Sequence, residues 1–423
     1  MKKGGENMNF KKIVFRFYVL LLSALLVGGF ASAAGAAATI KVGALNDMTG
    51  ATSDVGRDYA LGIAEAIHYV NNTGGINGKQ IKLYQFDYGY RVPEALTKYK
   101  LFKRLGVAAV LGWGTGDTEA LSPTVTRDKM PYVSASYSGH LTNPKKTPYN
   151  LFFASDYSTN ARAALTAWFD KKWPKHKDYG KRKPRLACAY MSASPYASAP
   201  IKAIKDQAAI LGFDVGPDQD VSLFAIDTKS QILSLKDFKP DVVWHGNTTM
   251  SVSATLRDAY SLGLGADHIV DNWGYDENLP KMAAKAAEGV MGPAVCAFFG
   301  EKVPGMDNVV AYAKKYNPGI PASKRLIRTV QAWGDVLILR EALIRADKAG
   351  KLDGESILKL GFETMKDFDI GLGAPPVTFT ATDHRVTAIV PIYEIKGGKF
   401  QLVEKVDLKS RWPDKWAKEW MGW

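Results

Sequence analysis

The sequence predicts an α/β protein made of two doubly wound parallel-sheet domains with a cleft between them. Three observations carry this. Apolar strand-like stretches alternate with helical periodicity from residue 39 onward, the pattern restarts after "YNLFFAS" (149–155), and a strand-rich segment returns late in the chain after two long helices. A length of 423 residues suits two domains, and 46% hydrophobic with 23% charged residues is the composition of a folded chain.

"TIKVGAL" (39–45) reads as the first strand. Tyr59, Ile63, Ala66, Ile67 and Val70 then recur at helical spacing until Gly74–Gly75. "QIKLYQFDY" is the second strand, and Pro93 opens a helix that Gly106 ends. "VAAVLGW" and "PYVSAS" are the third and fourth strands, with a helix from about Thr118 to Asp128 between them. In the second unit a helix over 158–171 precedes strands at "RLACAYM", 213–223, "DVVWHG", "HIVDNW" and "GVMGPAVCAF". Helices are expected between these strands at 197–211, 228–236, 250–262 and 279–286. Helices over 305–316, 324–348 and 353–366 follow, and then paired strands turn at "KGG". The chain is thus expected to return to the first domain and cross again into the second, a layout that suits hinge closure around a ligand.

Residues 1–33 read as a signal peptide: Lys11 and Lys12, the apolar "VLLLSALLVGGF", then "ASA" at the cleavage point. The first cysteine is Cys188, so none stands near that point to carry a lipid, and a soluble exported protein is expected. Cys188 and Cys296 sit in apolar stretches that read as buried strands, which favours free thiols although export permits a disulfide. The formal charge is +13, of which the first 33 residues supply four. The one dense basic run, "KKWPKHKDYGKRKPR" (171–185), is expected on an exposed loop, with no second such segment to form a nucleic-acid face.

"VLGWGTGDTEA" (110–120) poses the functional question, because its glycines lie where a strand runs into a helix. The spacing is G-x-G-x-G without G-K-[ST], which excludes a P-loop and does not fit a dinucleotide fingerprint. Open α/β sheets bind ligands at the C-terminal ends of their strands, and Thr115, Asp117 and Thr118 lie there. A helix N-terminus at that point suits a carboxylate, while Asp117 or Thr118 alternatively only caps the helix. Ser136, Tyr137 and Ser138 end the fourth strand in the same way. Tyr196, Thr248, Asn272, Trp273 and Tyr275 occupy equivalent ends in the second unit. No nucleophile elbow is present, and the six histidines are scattered without metal-ligand spacing, so neither an enzyme nor a metal or cofactor site is expected.

These segments resemble, in order along nearly the whole chain, type I periplasmic substrate-binding proteins of the leucine/isoleucine/valine class. "IKVGALNDMTG", "INGKQIKLYQFDYGYRVPEAL", "PYVSASYSGHLT", "FFASDYSTNARA", "SPYASAPIKAIKDQAAILGFDV" and "RTVQAWGDVLILREAL" carry the resemblance. It implies two lobes joined by a three-crossover hinge, with 39–153 plus 298–387 as the first lobe and 154–297 plus 388–423 as the second. It implies a periplasmic monomer that delivers a small solute to an ABC permease, with no nucleic-acid partner. It places ligand contacts at Val55, Thr115, Gly116, Asp117, Tyr137 and Ser138 of the first lobe, and at Tyr196 and Thr248 or Thr249 of the second. A second-lobe acid that receives a ligand ammonium in amino-acid-binding members falls here at Asn272 or Trp273, with Asp271 or Asp276 one gap away. Trp113, Trp273 and Tyr275 suit a flat ligand, and Asp117 favours a neutral amide or a cation over a carboxylate. The rival expectations are an exported sensor that presents its closed form to a receptor, and an exported hydrolase.

Overall fold

The computed structural model describes residues 39–423. The expected signal peptide lies outside the described residues.

The first sheet contains β1 (Thr39–Asn46), β2 (Gln80–Asp87), β3 (Ala109–Gly112), β4 (Tyr132–Ser134) and β5 (Asn150–Leu151), in the order β2-β1-β3-β4-β5. Helices α1 (Ser53–Asn72), α2 (Val92–Leu105) and α3 (Thr115–Arg127) connect them. α1 ends at Gly74 and Gly75, both with positive φ, and α2 at Gly106 in the left-handed region, as the sequence predicts. β1 pairs in parallel with β3, and β3 with β4. Gly112 lies opposite Ser134, so the loops that leave β3 and β4 emerge side by side.

After α4 (Tyr157–Lys171) the second sheet begins. Its strands are β6 (Arg185–Tyr190), β7 (Asp214–Asp220), β8 (Val242–His245), β9 (Asp267–Val270), β10 (Met291–Pro293), β11 (Ile389–Lys396) and β12 (Lys399–Asp407), in the order β12-β11-β10-β9-β8-β6-β7. The stretch from β7 to β10 is parallel, and β11 and β12 add an antiparallel edge. Gly397 and Gly398 have φ of 56° and 72°, the left-handed pair that a two-residue hairpin needs. Helices α5 (Pro195–Ser198), α6 (Ile201–Leu211), α7 (Lys229–Phe238), α8 (Thr249–Ser261) and α9 (Leu279–Ala283) belong to this half.

Between β10 and β11 the chain forms α10 (Met306–Tyr316) and α11 (Ile327–Lys348), which pack on α1 of the first half. Gly62 makes the close crossing possible, since a Cβ there would stand 2.8 Å from Ala332 Cβ. Buried ion pairs tie the contact, with Arg325 between Asp58 and Glu65, and Tyr59 donates to Asp335 at 2.6 Å. The chain therefore passes between the two halves at three places, after β5, after β10 and before β11.

Several local expectations need correction. The helix after β3 starts at Thr115, not near Thr118, so neither Asp117 nor Thr118 is its cap; the cap residue is Gly114. The helix expected over 197–211 is two pieces, because Pro200 removes a backbone donor where one continuous helix would need it. "GVMGPAVCAF" pairs only at Met291–Pro293, which leaves Cys296 buried beyond the strand. Residues 354–364 form the expected helical segment as one uninterrupted run of mixed α, π and 3-10 character, while 375–388 makes isolated bridges instead of a strand. Both cysteines are free and buried.

Candidate functional site

The C-terminal ends of both sheets face one another across a small, tightly closed cavity. Its first-half wall is Thr52 and Val55 at the start of α1, Tyr90 after β2, Trp113, Gly114 and Thr115 between β3 and α3, and Ala135 after β4. Tyr157 at the start of α4, Tyr196 in α5, Thr248 before α8 and Trp273 after β9 complete it. None of the described lining residues is charged. Nearly all are buried, so the two halves are closed over this space.

The aromatic walls hold one another. Trp113 and Trp273 come from opposite halves and meet edge to face with centroids 4.9 Å apart. Trp113 Nε1 donates to Thr52 Oγ1 at 2.8 Å, and that hydroxyl donates to Asp47. Trp273 Nε1 donates to the Tyr157 hydroxyl at 2.9 Å, and Tyr157 donates on to the Ala135 carbonyl. Indole and phenol groups thus lie in the wall with their polar atoms satisfied.

Three helices begin at this cavity with no side-chain cap: α1 after Thr52, α3 after Gly114 and α8 after Thr248. Their first N–H groups and macrodipoles give the space a positive character without a lysine or arginine. The Thr248 hydroxyl is buried without a well-formed hydrogen bond, and the Asp54 carboxylate of the first half lies beside it. Gly114 N–H donates to the Tyr88 hydroxyl, which in turn donates to Asp117 at 2.6 Å.

Asp117, Asp271 and Asp276 accept from protein donors, Asp117 on one oxygen only. Asp117 folds back over Gly114, and burial raises its pKa to about 7. Asp271 accepts from the Tyr196 hydroxyl at 2.7 Å and from Trp273 N–H at 2.6 Å, and burial likewise raises it to about 7. Asp276 takes the Thr249 hydroxyl at 2.6 Å and pairs with Arg328 at 3.1 Å, both side chains being fully buried. The Arg328 guanidinium also donates to the Asn272 carbonyl and lies 4.9 Å from the centre of the Trp273 ring.

Of the residues expected at the site, Val55, Trp113, Thr115, Tyr196, Thr248 and Trp273 line the cavity. The others stand one layer back. Ser136 donates to Thr115 Oγ1, Tyr137 stacks on Trp273, and Ser138 donates to Glu119. Gly116 faces Pro195 of the other half, where an added Cβ would come within 3.4 Å. Thr249 serves Asp276, Asn272 contributes its carbonyl to Arg328, and Tyr275 packs on Phe400 with its hydroxyl on the Val290 carbonyl. Sequence reasoning missed Thr52, Tyr90, Gly114, Ala135 and Tyr157. Tyr157 opens the helix after β5 as Tyr196 opens one after β6, so the rule that singled out Tyr196 would have found it.

The family model for periplasmic binding proteins matches residues 39–399. The chain belongs to that family. A substrate-binding protein of an ABC transporter from Aeropyrum pernix is 33% identical and superimposes with a TM-score of 0.77, covering 88% of this chain and 96% of that one. A branched-chain amino acid ABC transporter protein from Thermus thermophilus, solved with bound valine, is 22% identical with a TM-score of 0.80, over 87% and 96%. A solute-binding protein from R. palustris, in complex with 4-hydroxybenzoate, is 18% identical with a TM-score of 0.72, over 89% and 99%. The last two likenesses speak for the shared two-lobed fold. The two sheets described above are the lobes of this periplasmic binding protein.

Proposed function

We propose that this periplasmic binding protein is the exported, monomeric solute-binding component of an ABC importer. It closes its lobes over a small flat molecule that carries a carboxylate or amide and lacks an ammonium group. The observation that carries the reading is the aromatic cavity with no charged lining residue, where α1 and α3 start without a side-chain cap and Asp271 and Asp276 are already held by protein donors. A buried ammonium without a paired acid is costly, whereas a carboxylate or amide oxygen meets the helix N–H groups at the starts of α1 and α3. Trp113 and Trp273 supply faces for a ring. The Asp117 carboxyl turns toward Tyr88, which supports room for a ligand anion at the start of α3. The reading assigns no bond-making step to the protein.

The test is a thermal-shift series on the purified protein with 4-hydroxybenzoate, benzamide, valine and leucine. A ligand at 100 times its Kd adds about 2.7 kcal/mol of stability, a readily measured shift. The aromatic acid or amide is expected to stabilise and the amino acids are not. Stabilisation by valine or leucine with none by the aromatics would overturn the choice of ligand class.

A further inference from the structure

The tryptophan-rich segment after β12 takes no part in the cavity, yet it is built into the hinge. It makes two short helical turns, Leu408–Arg411 and Pro413–Lys418, and buries Trp416 and Trp420. It then runs over the first crossover between the lobes. Gly422 N–H donates to Thr142 Oγ1 at 3.1 Å, before the crossover. The Trp423 carbonyl accepts from Ser158 Oγ at 3.0 Å, after it. The path passes directly over Gly139, where a Cβ would stand 1.8 Å from the Trp423 oxygen.

Arg162 of α4 anchors this path. Its side chain is buried, and its Nη1 pairs with Asp206 at 2.5 Å. Its Nε and Nη2 have no hydrogen-bond partner. The guanidinium instead lies 4.3 Å from the Trp420 ring centre and 4.9 Å from that of Trp423. Two indole faces therefore take the place of hydrogen bonds for a desolvated cation. Ser158 is the neighbour of Tyr157, whose side chain is a cavity wall and whose N–H bonds to the Tyr137 carbonyl at 2.7 Å.

We propose that Trp423 is a positioning residue. By holding both sides of the first crossover it restricts rotation of the lobes and keeps Tyr157 in the closed wall. The inference does not depend on which solute binds. The closing experiment uses the ligand-free protein with spin labels at Lys100→Cys on α2 and Ser234→Cys on α7. Both positions are exposed, while Cys188 and Cys296 are buried. Pulsed electron–electron double resonance then reports the lobe-to-lobe distance distribution. Trp423→Ala and Gly139→Ala are expected to shift that distribution to longer and broader distances, and Trp423→Phe to keep the wild-type one. A melting temperature that falls while the distance distribution stays at wild type in Trp423→Ala would assign the segment a purely structural role and overturn the proposal. If Gly139→Ala does not fold, the contrast between Trp423→Ala and Trp423→Phe decides alone.

Discussion

The carboxylate of Asp54, in the first turn of α1, accepts a hydrogen bond from the backbone N–H of Met250 at the start of α8, 3.1 Å away across the cleft. One lobe thereby supplies the cap that the other lobe's helix lacks, since Thr248 gives α8 no side-chain cap. The contact needs the lobes to be closed. Asp54→Ala is expected to cost the closed form about 1 kcal/mol, as for a lost cap, which weakens solute binding roughly fivefold. Isothermal titration with the solute that emerges from the thermal-shift series checks this, and an unchanged Kd would remove the latch role.

The pH dependence of stability follows from the buried acids. Asp54 is raised to about 6, and Asp117 and Asp271 to about 7, in each case chiefly by burial. The folded chain keeps these protons over a range where the unfolded chain, at about 3.9, has released them. Their contribution is present below the unfolded value and is lost as pH rises to about 7. His245 and His268, in contact at 2.9 Å, act in the opposite sense, because burial lowers both, His268 to about 4. Their contribution is present above about 6.5 and is lost as pH falls. Asp271→Asn removes one acid term, so the change in Tm between about pH 5 and 8 is expected to tilt toward higher stability at the alkaline end. Calorimetry across that range measures it, and an unaltered slope counts against the buried, proton-holding state of Asp271.

Trp273 touches Tyr59, Trp113 and Tyr137 and closes the cavity. Trp273→Ala is expected to destabilise the protein by about 3–5 kcal/mol and to enlarge the space. Denaturant melts give the first quantity. Retention of the same ligand ranking by size would contradict the second.

Arg328 and Asp276 form an ion pair with no solvent exposure. Arg328→Met leaves a buried carboxylate without its cation and is expected to cost about 3–5 kcal/mol. Arg328→Met combined with Asp276→Leu is expected to recover most of that loss, since it removes both charges. A double mutant as unstable as the single one would show that the cost lies in packing around Trp273 instead.

Much of the site was legible from position alone. Thr115, Tyr196, Thr248 and Trp273 follow parallel strands, and the parallel register brings such positions to one edge. The β3/β4 register sets Ser136 against Thr115, and the β8/β9 register sets Thr249 beside Trp273. Tyr137 and Tyr275 follow strands too, yet their rings turn into neighbouring packing. Strand position tells which edge a residue occupies and carries no information on the rotamer that its neighbours allow.

The sequence by itself determined the alternation of strands and helices, the positions that end each strand, and the two-lobed architecture. Periodicity, glycine stops and strand hydrophobicity are local properties of the chain, so they survive without a partner. Tertiary structure decided which groups were left free to meet a solute. Asp271 is spent on Tyr196, 75 residues away, and Asp276 on Arg328, 52 away. Trp423 reaches Ser158 across 265 residues. In a closed, desolvated cleft most polar atoms must find a partner, and that pairing depends on loops that only folding brings together.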